Sequence, residues 1–352
     1  NLRVFSLIGV LDVVLRFLIA LAIIYYSFDK LIFFSVLMAL EAATIRSITK
    51  AYCVKHYDEC QNVRLKFLYN KALIRELLTF AGWNFLNVSS AMIALYSMNL
   101  IINHYYGTTY NAAMGVATQL TGVLMAFSLN MQKALTPSMM KHEGANNRDH
   151  VLQLTYQGSK FSFIIFAFWS IPIYFTIDSI LSLWLKDVPQ YCAQYCRLLL
   201  ISLLIEQYTV FIYQTIQAQG SIKGYNIVKS FFNLMTVVFR IFMCEAGFSS
   251  DYVIINRIIF FVIIGGLVNL WYCKKNVGLS LTKFFKQTLS PTIIPTLLII
   301  ILALVLKGLE LNDFLIILIC MSLSIPIYII LALNKVERHR VLQIFQNIKN
   351  IF

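Results

Sequence analysis

"NHYYGTTYNAAMGVATQLTGVLMAFSLNMQKALTP", residues 103–137, is a mostly apolar stretch that asparagines, glutamines, glycines and a proline interrupt repeatedly. Its length and apolar content are typical of two membrane helices joined by a short turn. Polar side chains on such helices either hydrogen-bond to neighbouring helices or face a polar cavity. The stretch therefore predicts a helical membrane bundle with polar groups inside it.

The composition of the whole chain supports the same fold class. Of 352 residues, 59% are hydrophobic and 13% are charged, and the mean hydropathy is +0.73, values outside the range of soluble domains. A membrane span needs about 20 mostly apolar residues, and segments of this length without strict alternation exclude the strands of a β-barrel. We predict an all-α polytopic membrane helical bundle with about ten transmembrane helices, at residues 4–26, 31–50, 77–102, 112–135, 154–177, 196–217, 225–246, 252–271, 293–306 and 314–333.

The distribution of lysine and arginine predicts the orientation. With the N-terminus inside, 22 of the 29 basic residues, Lys160 and Lys229 among them, belong to cytoplasmic segments, as the positive-inside rule requires. Both ends of this chain are then cytoplasmic. The formal net charge of +13 is spread over loops that face anionic lipid headgroups, so we expect membrane lipids as partners and no nucleic acid.

Two segments outside the spans have the pattern of helices that lie along the membrane surface. The segment 63–78, VRLKFLYNKALIRELL, places apolar residues at helical intervals between basic ones, and the tail 335–352 does the same. Both are expected to be cytoplasmic anchors.

Ionisable residues inside spans are either functional or paired with a neighbouring helix, because a charge at mid-bilayer costs about 2.5–3.5 kcal/mol. Asp12 and Arg16 are four residues apart and are expected to pair on one helix face. The deepest candidates for function are Asp12, Arg16, Glu41 and Glu206. Three arginines near the outer ends of spans are expected to snorkel to the interface instead: Arg197, Arg240 and Arg257.

No catalytic or metal-binding pattern is present in the sequence. The histidines lie at span ends or in loops, the seven cysteines form no CxxC pair, and there is no P-loop or dinucleotide fingerprint. We therefore predict that the protein is not an enzyme and has no metal or organic cofactor. Movement of a solute would depend on an ion gradient, the membrane potential or the gradient of the solute itself.

Residues 80–119 resemble a known transporter family. The matching residues are Phe80, Gly82, Trp83, Asn103, Tyr105, Tyr106, Gly107, Asn111, Ala112, Ala113, Gly115 and Gln119. Their order is similar to the start of the second lobe of polysaccharide and O-antigen flippases in the multidrug/oligosaccharidyl-lipid/polysaccharide exporter superfamily, to which MATE transporters also belong. The segments 134–141, 181–191 and 216–227 extend the resemblance, although Ser138 stands where the family pattern has glutamine.

The resemblance implies two lobes of six helices that alternate in access, often followed by two extra helices. The corresponding boundaries are 1–54 for the last two helices of the first lobe, 55–76 for an amphipathic linker, 77–272 for the second lobe, 273–334 for the extra pair and 335–352 for the basic tail. About four helices that precede these in the family are expected to lie upstream, so the chain is expected to be a fragment.

The function implied is translocation of polyprenyl-diphosphate-linked oligosaccharides across the bacterial inner membrane for O-antigen, capsule or other surface polysaccharide. A polysaccharide polymerase and glycosyltransferases would be partners. A diphosphate needs cations and a sugar needs hydrogen-bonding side chains. The candidates are Arg16, Arg46 and Lys133 for the diphosphate, Asn84, Asn87, Asn103, Asn111, Gln119 and Asn130 for the sugar, and Asp12, Glu41 and Glu206 for a coupling proton or sodium ion.

Pro137 is expected to end a helix near the cytoplasmic side and to act as a hinge. A MATE-type multidrug/cation antiporter is the alternative within the superfamily, and it would favour acidic and aromatic cavity residues. A membrane enzyme such as a sugar polymerase is the alternative outside it, but the large outer loop that such an enzyme needs is not found in the sequence.

Overall fold

The computed structural model describes residues 2–25, 29–57, 60, 70–220, 222–339 and 343. The chain divides into two compact units, Asn1–Glu76 and Leu77–Phe352. All regular secondary structure in the described residues is helical, which confirms the all-α prediction.

The first unit contains helices α1 (Leu2–Tyr25) and α2 (Lys30–His56), which pack against each other. The Asp29 carboxylate caps α2 by accepting hydrogen bonds from the backbone N–H groups of Leu31 at 3.0 Å and Ile32 at 3.3 Å. Residues 63–69 of the predicted surface helix at 63–78 lie outside the described residues. Its final residues belong to the next helix, α3, which begins at Lys71.

The second unit contains the remaining helices and two π-helical segments. In chain order these are α3 (Lys71–Tyr106, entering from the first unit), α4 (Thr108–Gly144), α5 (Arg148–Phe175), α6 (Ile177–Trp184), α7 (Cys192–Ala218), α8 (Lys223–Glu245), α9 (Asp251–Asn256), a π-helical segment (Arg257–Ile264), α10 (Gly265–Val277), α11 (Leu281–Phe284), a second π-helical segment (Phe285–Leu289), α12 (Ser290–Gly308) and α13 (Asp313–Leu331).

The number of spans agrees closely with the sequence pattern. In the described part of the chain, nine helical stretches are long and apolar enough to cross a membrane, and they correspond to the last nine predicted spans. The first predicted span falls on α1, a helix of 24 residues. The protein is therefore a multi-pass membrane helical bundle, since in a bilayer a continuous helix satisfies its own backbone groups.

Hydroxyl side chains in the spans bond largely to their own helix. In α2, Ser35, Thr44, Ser47 and Thr49 each donate a hydrogen bond of 2.8 Å to the carbonyl oxygen four residues earlier. This local bonding lets an apolar helix carry serine and threonine without leaving a polar group unpaired.

The prediction that Pro137 ends a helix is wrong. Helix α4 continues through Pro137 to Gly144. A proline removes one backbone hydrogen bond, whereas ending the helix would leave several carbonyl groups without helical partners. Continuation is therefore the less costly arrangement, and the role of Pro137 as a hinge stays a prediction.

Helices α4, α5 and α7 form the centre of the second unit. Close approach of α5 and α7 depends on Gly158, because a Cβ atom there would lie 2.7 Å from the ring of Phe211. Phe211 packs there with Met139 of α4 and Val151 of α5, both fully buried.

A buried ion pair fastens the chain beyond α13 to α5. Lys160 Nζ lies 2.5 Å from the Glu337 carboxylate, and both side chains are at most 5% exposed. The same ammonium lies 3.4 Å from the Ala332 carbonyl oxygen. Lys160 is thus buried in the bundle with a partner from the predicted cytoplasmic tail, and its assignment to the cytoplasmic side stays a prediction.

Local hydrogen bonds hold the turn that presents Glu337. The Glu337 carboxylate accepts from the backbone N–H of Asn334 at 3.0 Å, and the Asn334 side chain accepts from that of Glu337 at 2.9 Å, a capping box. Arg338 donates to the carbonyl of Ile330 at the end of α13, at 2.7 Å. Residues 335–339 are helical, and the rest of the predicted tail helix, Gln343 excepted, lies outside the described residues.

Breaking this ion pair should destabilise the protein, whereas removing both charges should not. Lys160→Met leaves a buried carboxylate without a partner and is expected to lower the free energy of unfolding by about 3–5 kcal/mol. Adding Glu337→Leu should restore most of the loss. Denaturant titration in detergent micelles measures both values, with the exposed Lys141→Met as the control. A double variant no more stable than Lys160→Met would contradict the coupling of the two charges.

Candidate functional site

A cavity of about 380 Å³ lies within the second unit. Helices α3, α4, α7, α8 and α10 and the π-helical segment Arg257–Ile264 supply its walls. Its size is within the range of sites for small molecules or headgroups. Its lining includes seven amide or charged side chains: Asn87, Gln132, Glu206, Gln214, Lys229, Asn233 and Asn269.

The carboxylate in the cavity wall is already paired. Glu206 Oε2 accepts a hydrogen bond from Arg257 Nη2 at 2.8 Å. Arg257 is 5% exposed, also donates to the Ser202 hydroxyl, and places its guanidinium 5.4 Å from the centre of the Phe261 ring. The negative charge of Glu206 is therefore compensated within the wall.

The structure corrects the expectation that Arg257 and Arg240 snorkel to the interface. Arg257 has a partner on the neighbouring helix, so it need not reach water. Arg240 is 1% exposed and donates to the Ala94 carbonyl at 2.8 Å and the Ser97 hydroxyl at 2.9 Å. Sequence position alone could not reveal these acceptors, because they lie on helices distant in the chain.

The ammonium of Lys229 forms no salt bridge with any residue in the described part of the chain. It lies on the cavity wall, half-buried, 5.5 Å from the centre of the Phe261 ring. Glu206 in the same wall is held by Arg257. Lys229 lies within the first turns of α8 and lines the cavity, and its assignment to the cytoplasmic side stays a prediction.

Amide side chains provide hydrogen-bonding capacity around this cation. Gln214 donates to the Gln132 side-chain oxygen at 3.1 Å, and Asn233 donates to Ser90 Oγ at 3.1 Å. Asn87 is 5% exposed, and its Oδ1 atom has no hydrogen-bond partner among the described residues. An unpaired buried acceptor is costly, so a ligand or water in the cavity would be expected to use it.

Other polar groups of the opening stretch pack helices together instead. Gln207 is fully buried, and its Oε1 accepts hydrogen bonds from Ser128 at 2.5 Å and Ser162 at 2.8 Å. Gln132 donates to the Ser128 hydroxyl at 3.3 Å. The network joins α4, α5 and α7, and through Gln132 it reaches the cavity wall.

The predicted residues of the first unit form a charged group of their own. Asp12 and Arg16 make the salt bridge that their spacing predicts, with Nη2 and Oδ1 3.0 Å apart. Arg16 Nε lies 3.8 Å from the carboxylate of Glu41, which is buried in α2. Arg46 is exposed.

The predicted residues of the second unit do not come together. Asn87 and Glu206 line the cavity, while the side chain of Asn84 is half-buried, with its Oδ1 atom unpaired within the described part of the chain. Asn111 is half-buried as well, and the others are exposed on α3 or α4: Asn103, Gln119, Asn130, Lys133 and Pro137. Their roles stay predictions.

Helical spacing was the signal that could have found the missed residues. Lys229 and Asn233 are four residues apart on α8, and Glu206, Val210 and Gln214 are four apart on α7, so each set shares a helix face. A lysine with an amide one turn away inside an apolar helix indicates a polar cavity. The positive-inside rule instead counted Lys229 among the basic residues of the cytoplasmic segments.

Residues 84–244 match the family model MatE. This match extends from α3 into α8 and supports membership of the MATE/multidrug/oligosaccharidyl-lipid/polysaccharide superfamily. MatE proteins are transporters, so the match indicates a membrane transporter of this type. No curated protein and no solved structure matches the chain.

Gln207 should stabilise the packing of α4, α5 and α7. Gln207→Leu leaves the hydroxyls of Ser128 and Ser162 without this acceptor and is expected to lower the free energy of unfolding by about 1–2 kcal/mol. Adding Ser128→Ala and Ser162→Ala should recover most of it, because neither buried hydroxyl is then left without its acceptor. Unfolding in mixed micelles measures the series. If the triple variant is less stable than Gln207→Leu, the network account is wrong.

Proposed function

We propose that the chain is part of a flippase that moves polyprenyl-diphosphate-linked oligosaccharides across the bacterial inner membrane. The cargo would supply O-antigen, capsule or other surface polysaccharide synthesis. Transport would proceed by alternating access, driven by a proton or sodium gradient or by the membrane potential. In this proposal both ends of the chain are cytoplasmic, and a polysaccharide polymerase and glycosyltransferases act beside it.

The charge balance of the cavity is the observation that carries this proposal. Glu206 is bound to Arg257, whereas Lys229 has no acidic partner in the described residues, so the wall presents one more positive than negative charge. Such a wall favours an anionic group over a cationic drug. A diphosphate is an anion of this kind, and lysine binds phosphate as a point charge.

The amide side chains in the cavity wall are suited to bind the sugar part of the cargo. Asn87, Gln132, Gln214 and Asn233 present both donors and acceptors to one cavity, as recognition of a hydroxyl-rich ligand requires. The unpaired Oδ1 of Asn87 is an acceptor that a sugar hydroxyl could satisfy.

Residues predicted from the sequence keep proposed roles elsewhere in the transport cycle. Arg46 and Lys133 are exposed cations and are proposed to meet the diphosphate as it enters or leaves, together with Arg16. Asp12, Glu41 and Glu206 are proposed to bind the coupling ion. Each of the three already lies in a salt bridge, Asp12 and Glu41 with Arg16 and Glu206 with Arg257, so ion binding would have to compete with an arginine.

Glu41 favours a second candidate function, a multidrug/cation antiporter. Its side chain is buried and its Oε1 atom has no hydrogen-bond partner among the described residues. A buried carboxylate of this kind is suited to exchange a proton for a cation.

Transport in proteoliposomes distinguishes the two candidates. The chain is expected to move a fluorescent lipid-linked oligosaccharide between leaflets, measured by a membrane-impermeant quencher, and to leave ethidium untransported. Lys229→Met should slow movement of the lipid about tenfold, because the cavity loses its unpaired cation. The control is Lys223→Met, since Lys223 lies on the same helix but contacts Trp83 outside the cavity. Proton-coupled ethidium transport with an immobile lipid would instead establish the antiporter.

A further inference from the structure

The ammonium of Lys229 occupies a notch that exists because residue 265 is glycine. A Cβ atom at Gly265 would overlap Lys229 Nζ and would lie 3.6 Å from its Cε. Any side chain at this position would therefore push the ammonium away from α10. Glycine leaves the end of the lysine side chain against the backbone of the cavity wall.

The notch at Gly265 and the π-helical segment Arg257–Ile264 together form a cradle around the Lys229 ammonium. The segment ends at Ile264, directly before Gly265, and Phe261 within it lies close to two cations. Lys229 Nζ is 5.5 Å and Arg257 Cζ is 5.4 Å from the centre of its ring. An aromatic ring within about 6 Å stabilises a cation without neutralising it. Gly265 and Phe261 thus define the position of the Lys229 ammonium.

We propose that Gly265 is a positioning residue for binding of a diphosphate group by Lys229. The cradle keeps the ammonium against α10, while Glu206 in the same wall is bound to Arg257. The cation is then free to bind a phosphate oxygen in the cavity. This inference rests on the proposed function, because it assigns the anionic part of that cargo to one ammonium group.

Without the cradle, the flexible side chain of Lys229 would not be held against α10. Its four-carbon chain can rotate, and the carboxylate of Glu206 lies in the same wall. A methyl group at residue 265 would move only the end of a side chain, so Gly265→Ala should alter ligand binding without unfolding the protein. Gly224→Ala on α8 is the control, since its Cβ would lie 3.8 Å from Tyr272 Oη, an ordinary contact with a residue that does not line the cavity.

A double-mutant cycle on binding tests the proposal in lipid nanodiscs. The chain is titrated with undecaprenyl diphosphate, with undecaprenol as the uncharged lipid, and with inorganic diphosphate as the lipid-free anion. Gly265→Ala and Lys229→Met should each weaken binding of undecaprenyl diphosphate about tenfold. The double variant should bind no more weakly than Lys229→Met, because Gly265 acts only through the lysine. Gly224→Ala should bind like the unchanged protein, and undecaprenol should bind all variants equally.

Each contrary outcome removes a different part of the account. If Gly265→Ala binds undecaprenyl diphosphate like the unchanged protein, or if its effect adds fully to that of Lys229→Met, the positioning role is overturned and the proposed function stands. If inorganic diphosphate binds as tightly as the lipid, the cradle serves free phosphates and the lipid assignment is overturned. If the unchanged protein does not prefer undecaprenyl diphosphate to undecaprenol, the proposed function itself fails.

Discussion

The ion pair between Glu206 and Arg257 determines the electrostatics of the cavity. A charge in a membrane helix needs a partner, and these two residues supply each other across the bundle. Because the pair is complete, the remaining charge in the wall is the ammonium of Lys229. The same carboxylate without Arg257 would neutralise Lys229 or attract a cation, and the cavity would suit a different ligand.

The rest of the second unit can be understood as support for this arrangement. The buried network around Gln207 holds α4, α5 and α7 together, and these helices carry Gln132, Glu206 and Gln214 to the cavity. On α5, two residues before Ser162 of this network, Lys160 pairs with Glu337 and fixes the chain after α13. Polar groups in the spans therefore have two separate uses, one in packing and one in the cavity.

Much of the fold follows from the sequence, whereas little of the site does. Apolar length located the spans, because a bilayer requires continuous helices. The i to i+4 spacing of Asp12 and Arg16 correctly predicted their salt bridge. Contacts between helices distant in the chain could not be predicted in this way. Arg257 was therefore expected at the interface, and the partners of Lys160 and Lys229 were not predicted, because another segment of the chain supplies each of them.

Solid-state NMR of the nitrogen–phosphorus dipolar coupling tests the central claim most directly. The chain would carry isotope-labelled lysine side chains and bind undecaprenyl diphosphate in a bilayer. We expect a coupling that corresponds to a separation of about 4 Å between an ammonium nitrogen and a phosphorus atom, and we expect Lys229→Met to abolish it. A coupling that survives Lys229→Met, or no coupling in the unchanged protein with the lipid bound, would contradict the assignment of Lys229 as the diphosphate-binding group.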